Sequence, residues 1–166
     1  FLEDDVRPMG RTAAGVRGIR LPEGEEVISL IIPDPNGLIL TASENGYGKL
    51  TPVDEFPSHG RGGQGVIAMQ TTERNGELVA ATQIATTGEL MLMSSNGTLV
   101  RTRASEISVL GRNTQGVRLI RLDDGERLIG VEPVEPEPEE SEDNGADVAN
   151  GQSDAGAASQ ETTRPD

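Results

Sequence analysis

An all-β fold of small repeated sheets is predicted by three observations. A Gly-rich heptapeptide recurs at intervals of 50 and 51 residues, short runs rich in Val, Ile, Leu and Thr fill the space between copies, and Asn-Gly pairs punctuate those runs. Gly10-Arg11-Thr12-Ala13-Ala14-Gly15-Val16 returns as Gly60-Arg61-Gly62-Gly63-Gln64-Gly65-Val66 and as Gly111-Arg112-Asn113-Thr114-Gln115-Gly116-Val117. A Gly-Glu turn follows each copy, at Gly24-Glu25, Gly76-Glu77 and Gly125-Glu126, while Asn45-Gly46 recurs as Asn96-Gly97 and Glu55-Phe56 as Glu106-Ile107. A period near 50 is that of propeller-type blades, in which a small sheet cannot bury its face alone and stacks on its neighbours.

Taken in order, the expected strands are residues 27–32, 38–42, 66–71, 78–81, 90–94, 98–102, 117–122 and 128–131. Asn45-Gly46, Asn75-Gly76 and Asn96-Gly97 are expected hairpin turns, because such turns need positive φ, which Asn and Gly reach at little cost. No segment shows sustained helical periodicity. The copies amount to roughly two and a half blades, too few to close a ring of about 4–8. The chain opens at Phe1 inside an acidic stretch, so the remaining blades are expected upstream.

Composition divides the chain in two. Residues 1–131 hold 13 Lys and Arg against 17 Asp and Glu, a net charge of −4; residues 132–166 hold 1 against 11, a net charge of −10. The first part is read as the folded blades. The second, rich in Glu and Pro, cannot bury enough apolar surface to offset the entropy of ordering it and is read as a disordered acidic tail. As a tethered polyanion that tail is either a solubilising terminus or an autoinhibitor that competes for the basic surface. The absence of cysteine excludes disulfides and thiolate zinc sites, and no apolar run approaches the ~18 residues of a membrane-spanning helix.

The repeated loop places Arg11, Arg61 and Arg112 at equivalent positions. Glycines such as Gly62, Gly63 and Gly65, with Gln64 between them, can expose backbone N–H groups to an oxyanion, and arginine offers a planar fork matched to phosphate. Arg101 and Arg103, spaced i, i+2, share one face of a strand, and Lys49 lies in the equivalent hairpin one repeat earlier. Cationic groups at fixed intervals along a curved surface suit duplex DNA bent around a rim. A second reading stands beside it: the loop is an inter-blade connection whose arginine pairs with Glu55 or Glu106. The net charge of −4 opposes nucleic acid unless the arginines cluster.

Catalysis within this chain is not expected. Gly60–Gly65 lacks the Lys-Ser/Thr of a P-loop, and His59 is the sole histidine. Asp123-Asp124 and Glu25-Glu26 fall in solvated turns. Met69, Met91 and Met93 are expected to fill core in place of aromatics. A propeller serving only as a protein scaffold remains a third class, distinguished by binding that is insensitive to salt.

Residues 10–18, Glu44-Asn45-Gly46-Tyr47-Gly48-Lys49, residues 60–66, Glu73-Arg74-Asn75-Gly76 and Gly97-Thr98-Leu99-Val100-Arg101-Thr102-Arg103 resemble the C-terminal domain of bacterial DNA gyrase A, over essentially all of residues 1–131. The resemblance implies the last two to three blades of a six-bladed β-pinwheel that wraps DNA around its outer edge. It further implies a type II topoisomerase that introduces negative supercoils, with ATP and Mg2+ used in the holoenzyme and none in this chain. The implied partners are double-stranded DNA, gyrase B and a second gyrase A in an A2B2 heterotetramer, cytoplasmic, associated with the chromosome and without membrane contact. The family's wrapping motif, Gln-Arg-Arg-Gly-Gly-x-Gly, is matched only in part by His59-Gly60-Arg61-Gly62-Gly63-Gln64-Gly65, a degenerate copy. Leu50 stands where the family commonly has arginine, which leaves DNA contact in that hairpin to Lys49. The equivalent protein of topoisomerase IV is the alternative, disfavoured by the full Glu-Asn-Gly-Tyr-Gly-Lys stretch and the acidic tail. The nucleophilic tyrosine belongs upstream, and Tyr47 is read as structural.

Overall fold

Among the described residues the strands follow the repeat, but each repeat lends a strand to the one before it. The computed structural model describes residues 1–134, all inside the unit Phe1–Pro136. β1 (Leu38–Ser43) and β2 (Tyr47–Pro52) form a hairpin. Its turn uses Gly46 at φ 78°, whose N–H closes onto Ser43 O at 3.0 Å. A 3-10 turn, Val53–Glu55, ends β2, and after the second Gly-Arg loop the chain returns as β3 (Leu78–Ile84), antiparallel to β1. The next repeat builds β4 (Glu89–Ser94), β5 (Leu99–Arg103) and a 3-10 turn, Ala104–Glu106. β6 (Val117–Arg118) then crosses to the first sheet, placing Arg118 opposite Tyr47 of β2. β7 (Leu128–Val134) returns to β4. The sheet orders are β3-β1-β2-β6 and β5-β4-β7, so the two sheets are not closed on each other.

Period-2 alternation sets the core. On β4, Leu90 and Leu92 are fully buried, while Met91 and Met93 sit half-buried on the opposite face. Those leucines join Leu40 of β1, Leu50 of β2, Ile84 of β3 and Leu128 of β7 in one apolar cluster shared by both sheets. Each such burial contributes roughly 1.5–3 kcal/mol. Of the three methionines expected inside, Met69 alone is buried, at 2% exposure.

The all-β expectation holds among the described residues, with β2 (Tyr47–Pro52) added to the expected strands and five further local corrections. Residues 27–32 form no ladder, and Leu30 and Ile32 are 90% and 93% exposed. By the repeat they correspond to β3 and β7, each of which pairs with the hairpin ahead of it; no hairpin precedes Val27 in this sequence. Residues 66–71 likewise correspond to β6 and form no strand. The strand read at 117–122 shortens to Val117–Arg118 because the Leu119 and Ile120 amides both turn onto Gly46 O, at 2.8 and 3.3 Å. Asn75-Gly76 joins no hairpin: the buried Asn75 side chain donates to Gln70 O (2.8 Å) and accepts from the Thr72 amide (2.7 Å), closing a turn ahead of β3. β7 continues past residue 131 through Pro133, which the ladder tolerates because β7 is an edge strand and Pro lacks only a donor. The acidic tail read at residues 132–166 is corrected at its start, where residues 132–134 belong to β7; the rest, residues 135–166, lies outside the described residues.

Candidate nucleic-acid interface

The Gly-Arg loops lie across the repeat that precedes them. The Arg112 guanidinium donates from Nε to Glu55 O at 3.2 Å and from Nη1 to Ile67 O, while its amide donates to the Glu55 carboxylate at 3.2 Å. Arg61 does the same one repeat earlier, donating from Nε to Asp5 O at 3.1 Å and from Nη1 to Arg17 O at 3.2 Å. Gly62 donates its N–H to Gly18 O at 2.7 Å, so that amide is not open to an oxyanion. Gly65 and Gly116 hold φ of 77° and 76°, and a Cβ on Gly116 would stand 2.6 Å from Gly48 O. Backbone geometry thus accounts for these glycines. Gly63, Gln64 and Arg11 are exposed.

Lys49 is not at the surface. It is fully buried, and its ammonium donates to Gly111 O at 2.6 Å, to Arg112 O and to Thr114 Oγ1 at 3.2 Å. Burial lowers its pKa, Glu55 opposing and Arg112 adding to the effect. The sequence expectation of DNA contact at Lys49 is therefore corrected: the loop at residues 111–114 covers the face of β2 opposite to core Leu50, and its carbonyls satisfy the charge.

Arg101 and Arg103 share one face of β5, as their spacing implied, with Val100 and Thr102 turned the other way. Both reach Glu89 on β4, Arg101 Nε at 2.5 Å and Arg103 Nε at 3.6 Å. Register explains the meeting, since Glu89 stands opposite Arg103. Arg103 remains the more open of the two, with 73% of its side chain exposed against 32%.

A stronger cationic cluster lies elsewhere. β6 brings Arg118 against Tyr47 of β2, where Nη2 donates to the phenol oxygen at 3.0 Å. The guanidinium carbons of Arg74 and Arg118 lie 4.9 and 5.5 Å from the Tyr47 ring centre. Arg121 joins them in lining an open cleft of about 460 Å³. No salt bridge reaches Arg74, Arg118 or Arg121 among the described residues. The hydrogen bond from Arg118 and then the Arg74 guanidinium hold the Tyr47 phenol below its ordinary pKa, burial opposing. Arg74 and Arg118 over an aromatic ring, with Arg121 lining the same cleft, suit an oxyanion, although Arg118 and Arg121 also line an adjoining cleft with Asp123, Asp124 and Glu126. Sequence reasoning missed it, although the signal was present: Gly15-Val16-Arg17-Gly18-Ile19-Arg20-Leu21 returns as Gly116-Val117-Arg118-Leu119-Ile120-Arg121-Leu122.

With this geometry in place, comparison with known proteins is informative. The family described as DNA gyrase C-terminal domain, beta-propeller, matches residues 1–34, 37–85 and 88–135. The second stretch contains β1, β2 and β3, and the third contains β4, β5 and β7, so each is one hairpin with its returning strand. DNA gyrase A of Pseudomonas aeruginosa is 58% identical over 144 residues, 86% of this chain and 16% of that protein. DNA gyrase A of Escherichia coli is 52% identical over 143 residues, again 86% of this chain and 16% of that protein. The chain therefore spans a small part of the curated relatives it matches. A solved DNA gyrase A C-terminal domain aligns at TM-score 0.72 and 29% identity, covering 79% of this chain and 45% of that one. A topoisomerase IV C-terminal domain aligns at TM-score 0.73 and 24% identity, over 80% of this chain and 42% of that one, a likeness of fold alone.

Proposed function

The chain belongs to the family of DNA gyrase C-terminal β-propeller domains, and from that premise we propose that it binds duplex DNA along its sheet edges as the wrapping part of a type II topoisomerase. The observation that carries the reading is the placing of Arg74 and Arg118 over the Tyr47 ring with Arg121 lining the same cleft, none of the three in a salt bridge among the described residues. Like charges held together are costly unless an anion joins them, and phosphate matches both their charge and their fork geometry. Arg17 and Arg20 occupy the same repeat positions as Arg118 and Arg121, with Ile67 and Gln70 at those positions in the repeat between them, so the first copy offers a second, separate pair of cations to a long polyanion. Arg103, and Arg11 in the first loop, supply further exposed cations.

In this reading the domain holds a bent DNA segment for an enzyme body that breaks and rejoins duplex and introduces negative supercoils. ATP and Mg2+ act in gyrase B, two copies each of gyrase A and gyrase B form the assembly, and the enzyme works on the chromosome in the cytoplasm. The role of the present residues is phosphate contact and DNA path, with no bond-making step assigned to them. Gyrase is favoured over topoisomerase IV by the names and identities of the relatives.

The test is DNA affinity of the chain against salt concentration, for the parent and for Arg74→Ala/Arg118→Ala/Arg121→Ala. Log affinity should fall steeply with log salt in the parent, and the slope should become shallower by about 0.9 for each phosphate contact removed. Salt-insensitive binding, or an unchanged slope in a folded triple variant, would overturn the reading in favour of a protein scaffold.

A further inference from the structure

The repeated arginine of the Gly-Arg loop does the same thing twice, bonding main-chain carbonyls of the repeat before it. Arg61 bonds the carbonyls of Asp5 and Arg17, and Arg112 those of Glu55 and Ile67. Asp5 and Glu55 each end a 3-10 turn, and Arg17 and Ile67 each follow the preceding Gly-Arg loop at the same offset. A third bond repeats as well: Arg20 N–H donates to Gly63 O at 2.8 Å, and Gln70 N–H to Thr114 O at 3.0 Å. Two junctions with the same three bonds are a built element, not a chance contact.

We propose that Arg61 and Arg112 are inter-repeat latches, positioning residues that fix one repeat against the next and thereby the path of DNA, and that they are not phosphate ligands. Two nitrogens of one planar, permanently charged group reach two carbonyls in separate segments, which lysine's single ammonium cannot do in that geometry. Carbonyls near a 3-10 turn's end lack partners within the turn, so the guanidinium also satisfies acceptors that would otherwise be left over. At the second junction Lys49 grips the loop from behind, through Gly111 O, Arg112 O and Thr114 Oγ1, and holds the Arg112 backbone in register. The latch stands on these bonds alone; its consequence for DNA path rests on the function proposed above.

The test uses Arg112→Lys and Arg112→Ala in the full chain, with Arg61→Lys as a second site. Three readouts are taken: hydrogen exchange at the Gln70 amide for the Arg112 variants and at the Arg20 and Gly62 amides for Arg61→Lys, thermal unfolding, and the salt slope of DNA binding. A latch predicts that lysine fails nearly as alanine does. Exchange at those amides should quicken by about tenfold or more, as for loss of a charge-assisted hydrogen bond, and unfolding should shift downward, with the salt slope unchanged. A phosphate ligand predicts the reverse: lysine retains parent stability and slope, and alanine makes the slope shallower by about 0.9 at parent exchange rates, which would overturn the proposal. If the parent chain binds no DNA, the function above fails, while exchange and unfolding still decide the latch.

Discussion

Tyr47 carries two guanidinium groups on its ring and accepts a hydrogen bond from one of them, and this makes it a reporter of its own site. The Arg118 hydrogen bond first, and the neighbouring Arg74 guanidinium after it, stabilise the phenolate, so its pKa is lowered in the folded state. The folded chain then releases this proton before the unfolded chain does. Between the lowered value and the ordinary one the unfolded state binds more protons, so this group's contribution to stability grows as pH rises through that window, is complete above it and is absent below it. The chain has one tyrosine and no tryptophan, so the tyrosinate absorbance of the whole chain reads this single group. Its titration midpoint should lie below the free-tyrosine value and return toward it in Arg118→Ala. Adding duplex DNA should also raise the midpoint, because phosphate draws the guanidinium charge away from the phenol; an unmoved midpoint would place DNA elsewhere. At this scale the sequence reading of Tyr47 as merely structural did not foresee the guanidinium groups gathered on its ring. The sequence misled at Lys49, whose charge suggests a surface although the loop at residues 111–114 covers it and its carbonyls take the ammonium.

Strands in this fold depend on partners lent by neighbouring repeats, and this decides which apolar runs become ladders. Residues 27–32 and 78–84 hold equivalent places in the repeat, yet among the described residues only the latter has a hairpin ahead of it to pair with. Local pattern made the repeat, the hairpins at Asn45-Gly46 and Asn96-Gly97 and the all-β class readable, since turn chemistry and period are written in neighbouring residues. The exchange of β6 into the preceding sheet was not readable, because pairing across some 70 residues leaves no local trace. The interior of β1 offers a stability test at this scale. Thr41 is buried at 1% exposure, and its Oγ1 has no hydrogen-bond partner. A buried hydroxyl without a partner carries its desolvation cost uncompensated. Thr41→Val keeps the branched shape and removes that cost, so chemical denaturation should show it as stable as the parent or more so, by up to about 1–2 kcal/mol. A loss of stability would mean that the hydroxyl is satisfied in solution.

The described repeats hold more acid than base, a balance that opposes nucleic-acid binding until the charges are placed. Glu89 pairs with Arg101 and Arg103, and Glu44 with Arg127, while Glu126 is held below its ordinary pKa by Ser94 and the Asp123 amide. These acids are tied into the sheets and their turns. Arg74, Arg118 and Arg121 line one cleft with no salt bridge among the described residues, and Arg17 and Arg20 repeat two of those positions in the first copy. Net charge therefore misjudges the molecule, and the arrangement distinguishes a long polyanion from a single small phosphate compound. If DNA follows the repeats, Arg17→Ala/Arg20→Ala and Arg118→Ala/Arg121→Ala remove separate contacts. Each double variant should make the salt slope shallower by about 1.8 and the quadruple by about 3.6, at about 0.9 per contact, with little coupling between distant sites. If one compact anion site served instead, the first pair would have no effect and the quadruple would match the second pair alone. Salt titrations of the four chains side by side thus test whether the repeat in the sequence is a repeat in the ligand.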